Sequence, residues 1–85
     1  MTDTDIIILR KMLKILLAIG PAGLEEKDLK EQAEIAAGLP LTTVEKDLAV
    51  KTMADRNWIA SYRQPVTDRV RWYATEQGRI AYASL

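Results

Sequence analysis

The sequence predicts a mostly α-helical domain that ends in a small β-hairpin and one short helix, an α+β class. Apolar residues with helical spacing, bounded by threonine, glycine and proline, occupy the first two thirds of the chain. Two runs rich in aromatic and β-branched residues follow over residues 58–63 and 69–74, as is typical of paired strands. Because the 85 residues contain no linker, we expect one domain over residues 1–85.

The first helix is expected over residues 3–19, capped by Thr2 or Thr4 and ended by Gly20. Its apolar residues cover roughly 200° of the helical wheel, whereas one core contact needs a stripe of about 100°. The helix is either covered on two sides by its own domain or partly buried by a second copy. We favour the second interpretation, because so small a domain has little else to cover the helix. It predicts a homodimer whose interface includes Ile7, Leu13 and Leu17.

The next two helices have clear boundary signals. The second is expected over residues 25–37, with acidic residues in its first turn, where the helix dipole favours them, and Gly38 at its end. The third begins with a predicted capping box, in which Thr42 and Glu45 each accept a hydrogen bond from the other's backbone amide. It is expected to continue to about Arg56.

The hairpin has a predicted loop over residues 64–68, and the last helix opens at Thr75 and reaches Leu85. Alternation places two sets of side chains on opposite faces of the second strand: Arg69, Arg71 and Tyr73 on one, and Val70, Trp72 and Ala74 on the other. We expect the second set to pack inward. Trp58 and Trp72 are both expected in the core beneath the hairpin.

The order helix, helix, helix, strand, strand, helix resembles the winged helix-turn-helix transcriptional regulators, particularly the PadR and MarR families. Two segments carry the resemblance, which covers roughly residues 42–82. Asn57-Trp58-Ile59 corresponds to a "rGlI" strand of those families, and residues 71–79 (RWYATEQGR) correspond to their "yyxLTxxGr" segment. Asn57 stands where the families have glycine, and asparagine can adopt the left-handed conformation that glycine permits there.

This resemblance implies a small transcriptional regulator that binds double-stranded DNA. The third helix would enter the major groove, and the hairpin of residues 58–74, which we call the wing, would lie beside it. The residues expected to contact DNA from the third helix are Thr42, Thr43, Lys46 and Lys51. Those expected to contact DNA from the wing are Arg63, Arg69 and Arg71.

The formal net charge is zero, but the charges are segregated along the chain. Residues 21–55 carry four lysines and eight acidic residues, whereas residues 56–85 carry five arginines and two acidic residues. The wing therefore favours binding to phosphate, and the second and third helices oppose it. This conflict keeps an alternative open, namely a winged-helix protein-interaction or dimerisation module with no direct DNA binding.

The composition argues against catalysis. The chain has no histidine and no cysteine, and it lacks a phosphate-binding loop, a nucleophile motif or a metal-ligand spacing. We expect no enzyme activity, no metal and no cofactor. The apolar run over residues 6–9 is followed at once by basic residues, so we expect no membrane span, no signal peptide and a cytoplasmic location.

Overall fold

The computed structural model describes residues 2–85, and helix α1 (Asp3–Ile19) runs through the centre of the fold. Its predicted range is confirmed, and Thr2 is its N-cap. The Asp5 amide donates to Thr2 Oγ1 (3.2 Å), and the Thr2 amide donates to Asp5 Oδ2 (3.0 Å). These reciprocal bonds satisfy amides that have no partner within the helix and so fix where α1 starts.

Helices α2 (Glu26–Ala37) and α3 (Thr43–Asp55) follow, joined by a turn. Gly38 ends α2 in the left-handed conformation (φ 68°, ψ 18°), as its position predicts. The predicted capping box of α3 is also confirmed. The Glu45 amide donates to Thr42 Oγ1 (3.1 Å), and the Thr42 amide donates to Glu45 Oε1 (3.0 Å).

The predicted hairpin forms two strands of a three-stranded antiparallel sheet, which has the order β1-β3-β2. The strands are β1 (Leu24–Glu25), β2 (Ile59–Arg63) and β3 (Val70–Ala74). Helix α4 (Glu76–Ser84) follows, and its N-cap Thr75 accepts a hydrogen bond from the Gly78 amide (3.1 Å). The order of helices and strands confirms the predicted α+β class.

Strand β1 is the one element that the sequence reasoning missed. A helix starting at Glu25 was expected, but Leu24 pairs with Trp72 and Glu25 pairs with Arg71, so α2 starts one residue later. A two-residue strand shows no alternation that could reveal it. It forms because it pairs with one edge of β3 while β2 pairs with the other.

Helix α4 lies close against the first residues of the wing. The Thr75 amide donates to the Trp58 carbonyl oxygen at 2.9 Å. A Cβ atom placed on Gly78 would lie only 2.1 Å from the same oxygen, so this contact requires glycine. Asn57 just before it has φ 61°, the left-handed conformation expected at this position.

The core is assembled around α1. Its buried apolar residues are Ile8, Leu9, Met12, Leu13 and Leu16 of α1, Leu29 and Ala33 of α2, Leu41, Ala49, Val50 and Met53 of α3, and Ile59 of β2. Both tryptophans are half-buried and pack against this cluster, as predicted.

The wide apolar face of α1 is covered by α2, α3, α4 and β3 of the same chain. This arrangement matches the alternative in which α1 is covered on two sides by its own domain, rather than the favoured one. Leu13 is fully buried and has no surface left for a partner to contact. Its assignment to a dimer interface is therefore wrong. Ile7 is 43% exposed and Leu17 is half-buried.

The capping box predicts a measurable coupling between Thr42 and Glu45. Thr42→Ala should lower the free energy of unfolding by about 1 kcal/mol, because the Glu45 amide loses its acceptor. Glu45→Ala should cost less once Thr42 has been replaced. A double-mutant cycle by urea denaturation measures the shared term. Fully additive effects would show that the two side chains do not act together.

Candidate nucleic-acid interface

The four residues predicted to contact DNA from α3 lie near its surface, but most have partners within the chain. The Thr42 side chain caps the helix, whereas Thr43 is exposed. Lys46 Nζ lies 3.2 Å from Glu34 Oε2, and Lys51 Nζ lies 3.1 Å from Asp55 Oδ2. Both predicted lysines are therefore paired with carboxylates.

The outward face of α3 is aliphatic and acidic. Val44 is 75% exposed and Leu48 is 54% exposed, whereas Ala49, Val50 and Met53 face the core. The sequence showed two apolar sides on this helix without indicating which one is buried. The exposed charged residues of the outward face are Asp47, Lys51 and Asp55. Such a face offers few hydrogen-bond donors to base edges.

The predicted inward face of β3 is confirmed for two of its three residues. Trp72 and Ala74 pack against the core, as does Ile59 of β2, whereas Val70 at the start of the strand is 39% exposed. Tyr62 and Tyr73 therefore lie on the opposite face of the sheet, with their ring centroids 6.1 Å apart. This outer face places the aromatic rings beside Arg71 and Arg69, whereas Arg63, which pairs with Val70, lies on the same face of the hairpin as Ile59.

The three wing arginines differ in how firmly the chain holds them. Arg63 Nη1 lies 3.3 Å from Asp68 Oδ1, and Arg69 Nη1 lies 3.3 Å from Glu25 Oε1. Their side chains remain 63% and 67% exposed, so both pairs face solvent. Arg71 is half-buried and donates from Nη1 to the Gly23 carbonyl (3.1 Å). Its buried Nε has no hydrogen-bond partner within residues 2–85.

The turn that precedes α2 is bound to the outer face of the wing. The Tyr62 hydroxyl donates to the Ala22 carbonyl at 2.7 Å, and Arg71 and Arg69 reach Gly23 and Glu25 of the same segment. Neither this contact nor the part played by Glu25 is among the features predicted from the sequence. No local pattern reveals it, because the partners lie 40 to 48 residues apart.

The exposed side of α1 is basic around Ile7. Arg10 and Lys14 are exposed there, and Lys11 is half-buried. The Arg10 guanidinium lies 4.7 Å from the centre of the Tyr82 ring and donates to the Leu85 carbonyl (2.6 Å). In a symmetric contact between two α1 helices, these cations would face one another.

The shifted pKa values at α2 and α3 reflect the ion pairs between these helices. Lys46 lowers the pKa of the Glu34 carboxyl, and the Leu41 amide, which donates to Glu34, lowers it further. Asp47 raises the pKa of Lys30, which also contacts Glu26. Two of these ion pairs, Lys46–Glu34 and Lys30–Asp47, join α3 to α2.

Within residues 2–85, no helix is both long and apolar enough to cross a bilayer. The same residues form no group of acidic side chains suited to holding a metal ion. Comparison with protein-family models, with curated proteins and with solved structures found no match.

The Lys46–Glu34 pair predicts a pH effect. Lys46→Met should raise the pKa of Glu34 toward its ordinary value, and the Leu41 amide should retain part of the depression. The pKa of Glu34 is lower in the folded protein than in the unfolded chain. The pair therefore stabilises the fold at pH values above the unfolded pKa, and this contribution is lost as the pH falls through the folded pKa. Carboxyl NMR titration of both proteins measures the shift. An unchanged Glu34 pKa would mean that the pair does not persist in solution.

Proposed function

We propose that this chain is a small winged-helix DNA-binding protein, acting as a transcriptional regulator, that holds the phosphate backbone of double-stranded DNA with its wing. The observation that carries the proposal is the position of Arg63 and Arg69. The Gln64 amide donates to the Arg69 carbonyl at 2.9 Å, so the two arginines flank the base of one loop. Both guanidinium groups are largely open to solvent.

The ion pairs of these arginines do not prevent phosphate binding. Solvent-exposed ion pairs contribute only about 0–1 kcal/mol, because water screens them and ordering the side chains costs entropy. A DNA backbone presents a dense row of phosphates, and each arginine contact releases condensed counterions. Phosphate can therefore displace Asp68 or Glu25 at little cost.

Arg71 has a different role from the one expected of it. Its guanidinium is half-buried and bonded to Gly23, so it secures the turn to the wing. Two arginines then carry the contact, which implies weak, salt-sensitive affinity for random DNA. The proposal excludes base recognition by α3, because the Lys46 side chain is only 20% exposed and Lys51 lies on a face that also exposes Asp47 and Asp55.

A second candidate function is a protein-interaction module, and the outward face of α3 favours it. Val44 and Leu48 lie one helical turn apart and are both exposed, with Asp47 and Asp55 on the same face. Exposed aliphatic residues with a charged surround are typical of surfaces that contact another protein. This candidate and the DNA-binding wing use different surfaces.

The wing proposal predicts the salt dependence of binding. Replacing both Arg63 and Arg69 with alanine should abolish binding to a random duplex at low salt. Arg63→Ala and Arg69→Ala alone should each lower the slope of log K against log salt by about one unit. The control is Arg79→Ala, which removes the same charge from α4, where Arg79 pairs with Glu76. Fluorescence anisotropy measures the affinities, and equal losses in the control would contradict a wing-specific contact.

Glu25 predicts a gain of affinity. Glu25→Gln should tighten binding to random DNA, because Arg69 no longer has a carboxylate partner. Glu31→Gln is the matched control, since Glu31 is exposed on α2 and removing it changes the net charge equally. The same anisotropy assay compares the two variants. If both change the affinity alike, the effect is one of net charge, and the proposed competition between Glu25 and phosphate is wrong.

A further inference from the structure

An open groove of about 330 Å³ runs along α3 where the first turns of α1 meet it. Five residues of the α3 segment line it, at offsets of three, four, seven and eleven from the first, which place them on one side of the helix: Glu45, Leu48, Ala49, Thr52 and Arg56. From α1, Asp5, Ile8 and Leu9 complete the lining. Aliphatic side chains thus form much of the groove, and more than half of the Leu48 surface is exposed beside it.

The two ends of the α3 stripe carry opposite charges. Glu45 lies in the first turn and Arg56 is the C-cap, about 16 Å further along the helix axis. Within residues 2–85, neither of them takes part in an ion pair. Glu45 accepts a hydrogen bond from the Thr42 amide, and the Arg56 guanidinium lies 5.2 Å from the centre of the Trp58 ring.

We propose that this groove is occupied by a second copy of the chain, with the two α3 helices antiparallel about a two-fold axis. A symmetric dimer requires a self-complementary surface, since the same patch serves both partners. An axis between Ala49 and Thr52 brings Glu45 of each copy opposite Arg56 of the other, so two ion pairs form. Leu48 of each copy then lies over the groove of its partner.

Charge favours α3 over α1 as the site of this contact. Two α1 helices would bring Arg10, Lys11 and Lys14 against the same cations of the partner, and such like-charge contacts oppose association. The α3 stripe instead has a negative charge at one end, on Glu45, and a positive charge at the other, on Arg56. Asp5 adds one carboxylate to each groove, which attracts the incoming guanidinium and is itself held by the Thr2 amide.

The inference is independent of DNA binding by the wing, because it uses α3 and leaves Arg63 and Arg69 free. It develops the second candidate function by naming the partner of the α3 surface. Association is measured without DNA, so failure of one proposal does not decide the other.

The test is a charge swap followed by sedimentation equilibrium. In a dimer of Arg56→Glu, both ion pairs become contacts between two carboxylates. In a dimer of Glu45→Arg, both become contacts between two guanidinium groups. Each variant alone should dimerise at least about tenfold more weakly than the parent. An equimolar mixture should recover association close to that of the parent, because every contact in the mixed dimer joins opposite charges.

The swap is paired with an apolar test in case Glu45→Arg weakens the helix cap and prevents folding. Leu48→Glu should abolish the dimer, whereas Ile35→Glu, which adds the same charge at an exposed aliphatic residue of α2, should leave it intact. A parent that stays monomeric near about 1 mM overturns the proposal, since even weak specific dimers form at that concentration. A dimer that survives Leu48→Glu also overturns the proposal, as does a mixture of folded swap variants that does not associate. The same holds if Ile7→Glu on α1 breaks the dimer and Leu48→Glu does not.

Discussion

Burial of one helix organises this fold. Helix α1 is apolar around more than half of its circumference, and the rest of the chain must cover that surface. Helices α2 and α3, the sheet and α4 each cover part of it, so α1 contacts every layer of the domain. The positions of α3 and the wing are thereby set by the same hydrophobic contacts. Leu13 and Met12, with no exposed surface, lie at the centre of that arrangement.

Much of the backbone was predictable because its boundaries depend on local chemistry. Thr42 and Glu45 identified the start of α3, Gly38 identified the end of α2, and alternation identified β2 and β3. Strand β1 and the partners of the arginines were not predictable, since Glu25 meets Arg69 across 44 residues. Nor did the sequence show which apolar side of α3 is buried, because that depends on where α1 lies.

The candidate interface shows how a fold and its electrostatics can favour different partners. In a winged helix, the third helix and the hairpin contact DNA. On α3 of this chain, however, lysines are bonded to Glu34 and Asp55, and Val44 and Leu48 are exposed. The wing exposes two arginines at the base of its loop, Arg63 and Arg69. Architecture alone does not establish function. In this chain the wing exposes arginines, whereas the outward face of α3 is aliphatic and acidic.

The contacts between the turn and the wing have a mechanical consequence. Three side chains join the hairpin to the segment between α1 and α2: Tyr62 to Ala22, Arg71 to Gly23 and Arg69 to Glu25. A β-hairpin without such contacts would become ordered, and lose conformational entropy, only when it bound a ligand. In this chain much of the hairpin is already ordered on folding. The Tyr62 and Arg71 contacts, which do not involve Glu25, therefore order the wing before it meets a ligand.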